Sequence, residues 1–268
     1  MLESVMNQWM NREEQMRRPV FDMLSGAAGR YSMHMPGHGG MPPFPGDGSL
    51  NGMYALDTTE LPLTDDLHTP QGAILEAERL YATCAGSAET IFLHNGSTAG
   101  IHVMLQMWAR EHDTVILPRN AHLSASAACV LGGLRAVWIP CRETRDGYVY
   151  VHEEDVLRTV LEHPEAKTLL LTRPDYYGGC IPLRRIVETC HGMGIRVAVD
   201  EAHGAHFPWS HEMQSAGCFS VDAWVQSCHK TLPALTGSAV LHLRDSEDLG
   251  RAMRILRREE TSSRAFFW

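Results

Sequence analysis

The sequence predicts an α/β fold built on a mostly parallel, seven-stranded sheet with helices over both faces. Three observations lead there. From about residue 70, short apolar runs alternate with stretches of helical periodicity. The runs are apolar throughout, as in strands buried on both faces. The polar residues that stand out fall directly after those runs, at the strand ends where such sheets collect ligands.

Taken in order, Leu2, Val5, Met6, Trp9 and Met10 recur at helical spacing. They predict an amphipathic helix that packs on its own domain or serves as a dimer-contacting arm. Met35 to Gly52 is rich in Pro and Gly and reads as irregular chain. Residues 1–52 are therefore expected to form a helix and arm, and 53–268 the main domain. Ala73–Cys84 is predicted helical. So is Ser97–Trp108, with Ile101, Met104, Leu105 and Trp108 on one face. The strand candidates are Thr90–Leu93, Thr114–Leu117, Ala136–Ile139, Thr168–Leu171, Arg196–Val199, Ala223–Gln226 and Ala239–Leu243.

Bulk properties exclude several classes. A net charge of −9 over 268 residues leaves no basic footprint for nucleic acid. Seven cysteines (Cys84, Cys129, Cys141, Cys180, Cys190, Cys218 and Cys228) form no C-x-x-C pair and are odd in number. That argues against a disulfide framework or zinc ribbon and favours a reducing, cytoplasmic setting. No secretory signal or membrane-length apolar run is visible, so no membrane partner is expected. His34 and His38 are separated by Pro36 and Gly37, which break the helix a His-x-x-x-His metal site needs. His203 and His206 lack further ligands at sensible spacing, so no metal is expected.

Three segments carry chemistry. His94-Asn95-Gly96-Ser97-Thr98-Ala99-Gly100 joins a strand to a helix. Small residues there let backbone amides approach an anion at the helix start, although Ser is equally a common cap. Asp200 ends the apolar strand Val197-Ala198-Val199. A charged acid in that place needs a cation or strong donors; it pairs with a bound cationic ring, caps the next helix, or meets a core histidine. Asp200 to His203 spells DEAH, but the phosphate loop of a helicase is absent from the sequence. Lys230 follows the apolar strand Ala223–Gln226 among small and apolar residues. Such surroundings free a lysine amine as a nucleophile, while a solvent-facing role is the ordinary alternative. A phosphate cradle, a partner for a pyridinium nitrogen and an amine together suit one cofactor, pyridoxal 5′-phosphate (PLP).

These residues resemble the large-domain portion of the ornithine/lysine/arginine decarboxylases, PLP enzymes of fold type I with the aspartate-aminotransferase-like fold. The resemblance runs from about Tyr31 onward. It rests on Met35-Pro36-Gly37-His38, Asp57-Thr58-Thr59-Glu60-Leu61, Asp65-Asp66-Leu67-His68 and Asn95-Gly96-Ser97-Thr98. It continues through Arg119-Asn120-Ala121-His122, Asp175-Tyr176-Tyr177-Gly178, Asp200-Glu201-Ala202-His203-Gly204 and Ser227-Cys228-His229-Lys230. The segment from Asp57 to His68 separates this family from aminotransferases of the same fold.

The resemblance implies roles residue by residue. Lys230 would hold the cofactor as a Schiff base, and Ser227 and His229 would contact its phosphate with Gly96, Ser97 and Thr98. His122 would stack on the ring, Asp200 would pair with the ring nitrogen, and His203 would lie beside it. The implied reaction is decarboxylation of a basic amino acid; an aminotransferase or aldolase activity, or a truncated non-catalytic PLP-binding homologue, are the alternatives. Gly39 and Asp175 depart from the family pattern, which often has Lys and a small polar residue there. Glu260-Thr261-Ser262-Ser263 resembles a segment that reaches a neighbouring subunit, implying a homodimer or higher homo-oligomer. Family members continue into a small C-terminal domain, which this chain, ending at Ala265-Phe266-Phe267-Trp268, is expected to lack.

Overall fold

A computed structural model of the chain describes residues 12–29, 34–42 and 51–259. The helix expected at Leu2–Met10 and the Glu260–Trp268 segment lie outside the described residues. The chain divides into two compact units, Met1–Cys84 with Arg257–Trp268, and Ala85–Leu256.

The first unit contains α1 (Arg12–Gln15), α2 (Pro19–Ala27), α3 (Asn51–Leu56) and nearly all of α4 (Ala73–Ala85). Pro19 opens α2, where its missing N–H costs nothing. The irregular stretch expected up to Gly52 ends earlier, because Asn51–Leu56 closes a helical turn. Its helix-compatible Met53-Tyr54-Ala55-Leu56 outweighs one glycine. Two of the resembling motifs meet here. His38 Nε2 lies 3.0 Å from Asp57 Oδ2, and Thr59 Oγ1 lies 3.0 Å from His34 Nδ1. Asp65 accepts the amides of Asp66, Gln71, Gly72 and Ile74. Burial alone would raise its pKa, but those four donors hold it below the usual range.

The second unit is the sheet. Its strands are β1 (Glu89–Leu93), β2 (Thr114–Pro118), β3 (Arg135–Ile139), β6 (Thr168–Thr172), β7 (Arg196–Asp200), β8 (Ala223–Gln226) and β9 (Ala239–Leu243). A separate hairpin pairs β4 (Arg142–Glu143) with β5 (Val149–Tyr150). The sheet order is β1-β9-β8-β7-β6-β2-β3. Only β9 runs antiparallel to its neighbours. All seven strand candidates correspond to these strands within one residue at either end.

Helices α5 (Gly96–Gln106), α6 (Leu123–Gly132), α7 (Glu153–Glu162) and α8 (Arg184–Gly192) connect them, followed by the short α9 (Cys228–Thr231) and α10 (Leu249–Glu259). The helix predicted to reach Trp108 ends at Gln106. Ile101, Met104 and Leu105 face the core, and Trp108 packs against it while its indole donates to Asp248 at 3.0 Å. Sequence periodicity also fits the strands' two faces. Ile91, Val225, Leu241 and Leu243 join the α5 core, whereas Trp224, Gln226 and His242 are buried on the opposite face. None of the described helices is long and apolar enough to cross a membrane.

Candidate active site

The sequence-predicted residues of the second unit gather at the carboxyl ends of its parallel strands. β1 ends at Leu93, and α5 begins three residues later at Gly96. Gly96 has φ +67°, a conformation that disfavours side chains, and its amide donates to Gly237 O at 2.9 Å. Asn95, the residue before α5, makes no side-chain cap. Gly96 N is thus taken, and the first-turn amides that follow it have no capping side chain, which suits an anion. Ser97 is half-buried and accepts a 2.9 Å hydrogen bond from the Ser227 hydroxyl. That bond ties the α5 start to the Lys230 segment across 130 residues of sequence. Thr98 lies on the first turn, exposed.

Asp200 terminates β7 and is 4 % exposed. Burial pushes its carboxyl above the usual range, while the Ala202 N–H at 3.1 Å and the fields of Lys230 and His122 act the other way. A buried acid at a strand end, in the field of the Lys230 ammonium, fits the ring nitrogen of a pyridinium. His203, three residues on, is half-buried; burial, Lys230 and His122 lower its pKa against the opposing Asp175. Its ring lies 5.8 Å from that of Tyr176.

His122 is the N-cap of α6, with Nδ1 accepting from the Ser124 amide at 3.2 Å. That assigns the proton to Nε2 in the neutral ring. His229 is fixed in the opposite sense, because its Nδ1 lies 2.8 Å from Ser238 O and must donate. Its Nε2 is the nitrogen that this bond leaves uncommitted. Lys230 sits in the single turn α9 and is exposed, rather than enclosed by apolar side chains as the sequence suggests. It opens instead on a cavity of about 640 Å³, lined also by Thr231, His203, His206, Asp175 and Tyr176.

The structure adds residues that sequence reasoning missed. Gly237 and Ser238 precede β9, whose antiparallel course returns them to this edge. Small residues before an apolar strand were the only available signal. Asp175, a departure from the resembling pattern, accepts from the Tyr177 and Gly179 amides at 2.9 and 2.8 Å and from the Tyr148 hydroxyl. Its carboxylate therefore shapes the turn beside the cavity. That bond and burial push the Tyr148 phenol up to about 12. Among the described residues, no group of three His, Cys, Asp or Glu is placed to hold a metal ion.

Comparison with known proteins gives a consistent result. The model of the Orn/Lys/Arg decarboxylase major domain matches residues 18–267. An arginine decarboxylase of Bacillus subtilis (strain 168) is 34% identical over 239 residues, covering 85% of this chain and 48% of that protein. The uncharacterized protein YaaO of the same organism is 39% identical over 245 residues, 88% and 51% of the two chains. The chain thus spans about half the length of the curated relatives it matches. In structure, it is similar to lysine decarboxylase A from Pseudomonas aeruginosa, with TM-score 0.77 and 20% identity over 95% of this chain and 39% of that one. Lysine decarboxylase of Francisella novicida gives TM-score 0.69 and 16% identity over 90% and 38%. The fold is that of the fold-type-I PLP enzymes, and the chain covers their major domain.

Proposed function

The chain belongs to the Orn/Lys/Arg decarboxylase family, and from that premise we propose that it binds PLP through Lys230 and serves decarboxylation of a basic amino acid: arginine, lysine or ornithine. The observation that carries the reading is the convergence of Lys230, buried Asp200 and the uncapped start of α5 on one sheet edge. Gly96, Ser97, Thr98, Ser227 and His229 would hold the phosphate, and His122 would lie against the ring. When bound, PLP supplies an electron sink for the bond broken as CO2 leaves. The residues supply the rest. Asp200 would keep the ring nitrogen protonated, Lys230 would offer the amine that attaches the cofactor, and His203 would stand beside it for proton transfer. The acidic Asp175 at the cavity wall suits a cationic side chain.

We place the protein in the cytoplasm and in a homo-oligomer. Leu123, Val130 and Leu131 on α6 are 77%, 81% and 65% exposed, an apolar group that a subunit contact would cover.

Attachment and turnover are measured separately, because the relatives are about twice as long. Added PLP should give the visible absorbance of a lysine-linked cofactor, which Lys230→Ala abolishes; its retention in that variant would refute the assignment. CO2 release from arginine, lysine and ornithine, set against keto-acid formation, distinguishes decarboxylation from transamination. PLP binding without CO2 from any of the three would leave a cofactor-binding homologue.

A further inference from the structure

Beneath the Lys230 cavity, and outside its lining, lies a buried ion pair. Glu201 is 0% exposed and Arg173 is 6% exposed. Arg173 NH1 lies 3.6 Å from Glu201 Oε1 and donates to Gln214 O at 2.8 Å. The same carboxylate accepts from the Ser215 hydroxyl, the Ala216 amide and the Gln226 amide side chain, each at 2.7 Å. The backbone adds a bond from Arg173 N to Asp200 O at 2.9 Å.

The pair and the bond to Gln214 connect three walls of the cavity. Arg173 is followed by Pro174 and Asp175, Glu201 by Ala202 and His203, and Gln214 is preceded by Met213. Pro174, Asp175, His203 and Met213 all line the cavity. Stability alone does not explain the pair. Buried ion pairs are commonly no better than apolar residues of similar volume, and Arg173 Nε is buried with no hydrogen-bond partner among the described residues. Two apolar side chains could fill that space, but they could not hold three walls at fixed separations by directed bonds.

We propose that Arg173 and Glu201 are positioning residues that fix the three walls of the Lys230 cavity relative to one another. The proposal rests on reading that cavity as the substrate site, and its first test does not require the cofactor. Replacing one partner would strand a buried charge, so the informative variant is the double replacement Arg173→Met with Glu201→Gln. Hydrogen exchange is followed at the Tyr177 and Gly179 amides, which bond Asp175 rather than the pair, in the chain without PLP. With the thermal midpoint kept within a few degrees of the parent's, exchange at these two amides should quicken at least tenfold. PLP, added afterwards, should bind at least tenfold more weakly. Parent-like exchange at both amides in the folded double variant overturns the proposal. Should that variant not fold, Arg173→Lys keeps the charge but loses the fork that reaches Gln214 O; severalfold faster exchange supports the proposal, and parent-like exchange overturns it. A parent chain that bound no PLP would instead defeat the cofactor reading, leaving the exchange result to stand.

Discussion

Replacing His242 with Gln should weaken the dependence of folding stability on acid. His242 is 0% exposed in β9, stacked on Trp224 at 4.9 Å between ring centroids. Its Nε2 lies 3.1 Å from Gln226 Oε1, and its Nδ1 lies 2.8 Å from Thr90 Oγ1. The Gln226 amide nitrogen is committed to Glu201, so the carbonyl faces His242 and the ring carries its proton on Nε2. Burial lowers its pKa from 6.5 to about 3. Below pH 6.5 the unfolded chain therefore takes up a proton that the folded chain refuses until about pH 3. Folding stability falls as pH drops through that window. The full difference is about 5 kcal/mol, of which about 2 kcal/mol is already lost at pH 5.

Glutamine at position 242 can donate to Gln226 and accept from Thr90 while carrying no titratable proton. It loses the stacking on Trp224, a pH-independent cost of about 1 kcal/mol. Urea unfolding at pH 8 and pH 5 measures the effect. The variant should be the less stable protein at pH 8, and the gap should close by about 2 kcal/mol at pH 5. Taking the difference between the two proteins cancels every other titrating group. A gap of equal size at both pH values would show that His242 is not held neutral by burial, and would refute the reasoning.

At the other end of the same network the sign reverses. Burial pushes Glu201 up to about 7 despite its donors, so its contribution is lost as pH rises from 4.5 through 7, and the deficit of Glu201→Gln relative to the parent should be larger at pH 5 than at pH 8 by about 2 kcal/mol in urea unfolding. Gly179→Ala places a Cβ 2.6 Å from Asp175 Oδ2 and against the Tyr148 hydroxyl, and should cost about 1–3 kcal/mol by the same assay. Ser227→Ala removes the bond to Ser97; a loss of about 1 kcal/mol is expected, together with weaker PLP binding by absorbance titration.

The central strands were legible because they are apolar throughout, so composition alone marks Val115-Ile116-Leu117 or Leu169-Leu170-Leu171. Asp200 and Lys230 were legible because each is polar immediately beyond such a run. Other features depend on contacts far apart in sequence. Arg173 and Glu201 look like ordinary surface charges until the fold encloses them, 28 positions apart. His242 alternates with apolar neighbours in β9, a pattern equally suited to a strand with one wet face. Its burial becomes apparent only when β9 lies between β1 and β8. The exposure of Lys230 was illegible for a related reason: neighbouring residues in sequence do not reveal that the turn buries Cys228 and leaves Lys230 open to the cavity.

The direction of β9 was equally hidden, and the site depends on it. A strand parallel to β8 would need a crossover of a dozen or more residues and would begin at the opposite edge of the sheet. Because β9 is antiparallel, the connection after α9 stays at the edge where the other strands end. Gly237 O can then meet the Gly96 amide, and Ser238 O can orient the His229 ring. The Ser227–Ser97 bond reaches the same helix start from the strand on the other side of β9. The α5 start is therefore held from two directions by the segment that carries Lys230. The proposed phosphate cradle and the proposed attaching amine of Lys230 thus have their separation fixed by one short stretch of chain, residues 227–238.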